Sequence, residues 1–171
     1  MFTRFTEAAR RAFVRAGTLA IEAGRPVLDT DLLVLGLAEV RPFDLESFTA
    51  TADDVRGRVP VDSGRDLLAS LGIDVDEIRR RARVDADDPS LWRLRRVLLR
   101  VTLHGPLGSI PLSMHCRKVV EVALWKPGAV TGERLLWGLL ADFSNGAAGL
   151  LHATGIDLRA LAVEAHIPVA R

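Results

Sequence analysis

Two stretches of this chain repeat each other, and the repetition limits the fold more than any other feature. Thr30-Asp31-Leu32-Leu33-Val34-Leu35-Gly36-Leu37-Ala38 has a second copy in Gly132-Glu133-Arg134-Leu135-Leu136-Trp137-Gly138-Leu139-Leu140. Both are apolar on nearly every side. Each opens with capping or acidic residues, Asp29, Thr30 and Asp31 in one and Thr131 and Glu133 in the other. Such residues satisfy the unpaired amides at a helix start and complement its positive dipole end, so each stretch reads as a short buried helix. The echo extends to Phe5-Thr6 with Arg10-Arg11, matched by Leu112-Ser113 with Arg117-Lys118, and to 67–74, matched by 150–157. The three blocks keep their order at spacings of 107, 102 and 83 residues. A unit present twice does not make a solenoid; it makes two halves that close one shared core about a pseudo-twofold axis.

The reading is therefore a single all-α domain over 1–171, built from two pseudo-twofold-related four-helix repeats. The first repeat spans about 1–84 and carries a surface insertion at 41–63, where Pro42, Gly57 and Pro60 stand among Asp, Thr and Ser. Apolar residues at intervals of three and four predict a helix over 6–23 capped by Thr6, a buried helix over 31–39, and short helices over 64–71 and 75–84 separated by Gly72 and Asp74. The linker, 85–108, adds one extra helix over 89–100 with Pro89 at its start. The second repeat, about 109–171, holds helices over 113–125, 132–142, 146–154 and 158–166. It is five residues shorter than the first before its buried helix.

Composition removes several function classes. A net charge of +1 supplies no global field for nucleic acid or an anionic membrane. Arginines 79, 80, 81 and 83, together with 93, 95, 96 and 100, are a candidate basic patch, but acids from Asp74 to Asp88 surround the first group and favour a solvated ion-pair face. No apolar run approaches the roughly 20 residues needed to span a bilayer. The lone Cys116 cannot form an intramolecular disulfide, and no apolar signal core opens the chain, so a soluble cytoplasmic protein is expected.

Catalytic chemistry is also missing from the pattern. No glycine-rich turn ending in Gly-Lys-Ser/Thr cradles a phosphate, and no Gly-x-Ser-x-Gly elbow exposes a nucleophile. His104, His115, His152 and His166 stand singly, without a metal-binding partner at helical spacing. His115 and Cys116 are adjacent and so point to different sides of a helix, while Cys116 matches the core-facing Ala9, as expected of a buried inert thiol. No catalytic residue, cofactor or metal is expected.

The opening residues from Met1 to Arg11, the stretch from Thr30 to Leu37 and Leu71-Gly72-Ile73 resemble the amino-terminal repeat domain of ClpC and ClpA chaperone ATPases. That family's signature Gly-Thr-Glu-His-Ile-Leu-Leu-Gly-Leu looks like 29–37 and, more loosely, 131–139. Nearly the whole chain is covered except the insertion and the widened linker, and no ATPase module follows, so a stand-alone receiving domain is expected. Asp31 stands for the family Glu, Leu32 for the His, Gly132 for the second Thr and Arg134 for the second His.

The resemblance implies a non-enzymatic binding protein, an adaptor or decoy of the Clp protease system. Its expected partners are peptides, proteins carrying phosphoarginine or Clp-directed ligands, with neither nucleic acid nor membrane among them. The two signature acids help bind phosphoarginine in ClpC-type domains, which makes Thr30 with Asp31, and Thr131 with Glu133, the candidate ligand-binding residues. A helix amino terminus offers amides to a phosphoryl group and a carboxylate accepts a forked guanidinium; ordinary capping accounts for the same residues equally well. Phe2 matches an apolar residue at a surface that receives cyclic-peptide antibiotics in actinobacterial members, so sequestration of such a molecule is the alternative.

Overall fold

A computed structural model describes residues 1–60 and 86–167. The expected helices at 64–71 and 75–84, the echo at 67–74 and arginines 79–83 lie outside the described residues. The first half has α1 (Glu7–Glu22), α2 (Thr30–Val40) and the short α3 (Ala52–Arg56). A three-stranded antiparallel sheet follows, with β1 (Arg93–Val97), β2 (Arg100–Gly105) and β3 (Gly108–Pro111). The second half has α4 (Met114–Trp125), α5 (Gly132–Leu140), α6 (Ala147–Ala153) and α7 (Leu158–Glu164).

The halves close on each other through reciprocal contacts. Phe5, ahead of α1, bridges Val130, ahead of α5, while Leu28, ahead of α2, bridges Leu112, ahead of α4. Phe5 and Leu112 are 107 apart and Leu28 and Val130 are 102 apart, so the two bridges exchange under the sequence repeat. Within each half the buried helix lies against its partner at a glycine. A Cβ on Gly36 would fall 2.5 Å from the Ala12 carbonyl oxygen, and one on Gly138 would fall 2.5 Å from that of Val119. Only glycine permits that approach, and Ala12 and Val119 are themselves repeat equivalents. The five residues missing from the second half come mostly from a helix rather than a loop: α1 has 16 residues and α4 has 12.

The all-α expectation fails at the linker. The predicted helix at 89–100 is a 3-10 turn at Pro89–Leu91 followed by a hairpin, in which Arg93 pairs with His104 and Val97 with Arg100. A helix would have put Leu91, Leu94 and Leu98 on one face, yet Leu91 and Leu98 are exposed. The buried set is instead Trp92, Leu94, Val101, Leu103 and Ile110, which alternate along extended chain and pack on α1. Gly17 is the seat: its missing Cβ would lie 2.2 Å from Leu103 Cδ2. Trp92 stacks against Gly105 and its indole N–H donates to the Ala86 carbonyl at 2.7 Å, so the largest buried ring carries no unpaired donor. The alternation is broken into two-residue pieces by a turn at Leu98-Leu99 that carries no turn chemistry, which explains the helical reading.

The described part of the insertion, 41–60, also joins the core. Phe48, Ala50, Val55 and Val59 are buried, and α3, closed by a reciprocal Thr51–Asp54 capping box, packs on α2. Among the described residues no helix is long and apolar enough to cross a membrane.

Candidate functional site

The amino terminus of α2 is satisfied from within. Asp29 caps it, accepting from the Thr30 amide at 2.8 Å and from the hydroxyl of Ser113 at 2.7 Å; Ser113 in turn caps α4. Thr30 is buried and its hydroxyl donates to the Asn145 carbonyl at 2.8 Å. Asp31 accepts from the Leu32 amide at 2.7 Å and faces the Arg25 guanidinium at 3.2 Å, and Arg25 also reaches the Pro60 carbonyl. The acid at this end thus already holds an arginine of its own chain.

The amino terminus of α5 differs. Thr131 makes no side-chain capping bond, and Gly132 lies so close to Pro42 and Phe43 that a Cβ would clash with both. Among the described residues the Glu133 side chain has neither a hydrogen bond nor an ion pair. One turn further on the same face stands Trp137, half-buried, with the Lys126 ammonium 4.7 Å from its ring centroid and the Trp125 ring at 6.2 Å. Trp125 is 77% exposed. Arg4 orders this corner: its guanidinium donates to the carbonyls of Leu124, Lys126 and Gly128, tying down the end of α4, and Arg134 donates to those of Lys126 and Pro127.

Among the described residues no hydrogen bond links Thr30 or Asp31 to Thr131 or Glu133. Phe2 is 4% exposed and meets Phe5 and Phe13 edge to face at 5.1 and 5.7 Å, with the Arg10 guanidinium over its ring. Its ring supports the surface from inside. Lys126, Trp125 and Trp137 are functional candidates that the sequence pattern did not single out. The signal was the repeat itself: Trp125 and Trp137 stand where the first half has Thr18 and Leu35, both buried.

Cys116 is fully buried at the counterpart of Ala9, and burial above all, then the nearby Asp29 and Asp31, pushes its thiol far above the usual range, away from nucleophilic chemistry. Among the described residues no three His, Cys, Asp or Glu side chains converge as a metal site.

A pair of helical repeats closed about a pseudo-twofold axis, with added elements over the first half and none over the described second half, is the class this architecture defines. A solved structure gives the class its particular form. The crystal structure of the N-terminal domain of the caseinolytic protease associated chaperone ClpD from Arabidopsis thaliana is similar over 97% of this chain and 97% of that one, with a TM-score of 0.60 and 19% sequence identity. This chain therefore has the fold of a Clp chaperone amino-terminal domain. No family model matches the sequence, and no curated protein matches it.

Proposed function

We propose that this chain is a non-enzymatic binding domain of the Clp amino-terminal kind, which receives peptide or protein segments, including phosphoarginine-bearing ones, and serves a Clp-type protease as adaptor or decoy. The fold shared with the ClpD domain supports the class. The observation that carries the site is the Glu133 side chain, without a partner among the described residues, one turn from Trp137, whose ring lies under the Lys126 ammonium, on a face whose counterpart in the first half is covered. Glu133 accepts the forked donors of a guanidinium, while Lys126 and the amides at the start of α5 take the phosphoryl group. Thr131 frames that end of the helix. The counterpart at Thr30 and Asp31 is the weaker site, because a ligand there must displace Arg25 from Asp31.

Calorimetric titration with free phosphoarginine tests this. Wild type should bind at millimolar ligand, Glu133→Ala should lose about tenfold or more in affinity, and Asp31→Ala should change little. Absence of binding by wild type, or equal affinity in Glu133→Ala, removes the site.

A further inference from the structure

The β1–β2 hairpin ends in three consecutive apolar residues that the core does not use: Val97, Leu98 and Leu99 are 70%, 88% and 73% exposed. The tip is held in place. Arg96 donates to the Leu98 carbonyl at 3.2 Å and Arg117, from α4, donates to that of Leu99 at 2.6 Å. Leu98 sits at φ 54°, in the left-handed region that branched side chains avoid, so the turn keeps an apolar residue where Gly or Asn would cost less. Beside the tip runs a groove of about 540 Å³, walled by Leu99 and Val27 and by Met114, itself 66% exposed, with Arg100 and Arg117 at its rim.

The charge around this groove is one-sided. Strand register places Arg93, Arg95 and Arg100 on the outward face of the hairpin, and none has an ion-pair partner among the described residues. The local acid, Glu121, is already shared by Arg96 and Arg117. An apolar anchor site with Arg100, which has no ion-pair partner among the described residues, at its rim and Arg93 and Arg95 on the same outward strand face matches one chemistry, that of an acidic polypeptide carrying a leucine- or phenylalanine-like side chain. A planar anionic lipid surface would meet the tip but leave the concave groove unfilled.

We infer that the hairpin tip and the first turn of α4 form a docking groove for an acidic, apolar-anchored segment of a partner protein. This surface is distinct from the one around Glu133, and the inference does not rest on the function proposed above. Selection of a random peptide display library on the wild-type protein, with counter-selection on the Leu99→Asp/Arg100→Glu double variant, tests it. The enriched sequences should combine Asp or Glu with a Leu, Phe or Met anchor. Their affinity should fall about tenfold or more in the double variant and in Met114→Ser, on the opposite wall, with melting temperatures unchanged because all three side chains lie at the surface. Enrichment without acidic bias, equal binding by the variants, no enrichment at all, or cosedimentation with phosphatidylserine vesicles in its place would each overturn the inference.

Discussion

Helices α2 and α5 are copies in sequence and in packing, yet one is buried on every side and the other is not. Their shared face is common: Leu33 matches Leu135, Val34 matches Leu136, Gly36 matches Gly138 and Leu37 matches Leu139, all buried. They part at two positions on the outward face, where α2 has Leu32 and Leu35, both fully buried, and α5 has Arg134 and Trp137, both partly exposed. The same holds for α1 and α4, since Val14 and Thr18 are buried while their counterparts Glu121 and Trp125 are not. The difference follows from what was added to each half. The first gained α3 over α2 and the sheet over α1; the described second half gained neither. Symmetry thus built the core, and its breaking left one face of the second half partly exposed to solvent.

Breaking the comparison at the buried position should have the largest effect. Leu35→Asp places a lone carboxylate in an apolar interior and should cost several kcal/mol, enough to unfold the domain, whereas Trp137→Asp should leave a cooperative melt. Circular dichroism against temperature reads both, and a wild-type melt for Leu35→Asp would mean that α2 is not central.

A smaller and equal effect is expected where the halves agree. Gly36→Ala and Gly138→Ala each drive a methyl group to 2.5 Å from a backbone carbonyl of the neighbouring helix, so each should cost about 1–3 kcal/mol in denaturant titration. A large loss at one glycine with none at the other would break the pseudo-twofold argument.

The smallest expected effect is acid-dependent and confined to the second half, where Asp142 replaces Val40 of the first. Its carboxylate accepts from the Ser144 hydroxyl at 2.5 Å, from the Ser144 amide and from Lys118 at 2.9 Å, and these bonds hold its pKa well below the usual carboxylate range. A folded-state pKa below the unfolded one stabilises the fold above about pH 4 and ceases to do so as pH falls further. Asp142→Asn should therefore melt lower than wild type at neutral pH, and the gap should close below about pH 4. A gap that stays constant with pH would exclude this linkage.

The sequence by itself determined the repeat and nearly everything that follows from it. The helices of the second half, α1 and α2, the caps at Thr6 and Asp29, the burial of Cys116 and the close approaches at Gly36 and Gly138 were legible because each depends on neighbours three or four residues away or on a match to the other copy. The hairpin was not legible. Its buried residues alternate only in short pieces, and the contact that makes them strands, Leu103 seated on Gly17, joins residues far apart in the chain. The asymmetry of the candidate site was hidden for the same reason. Only the tertiary structure decided that Arg25, tied to the Pro60 carbonyl 35 residues away, turns onto Asp31 while the Glu133 side chain has no partner among the described residues, because such placement is not written in local pattern.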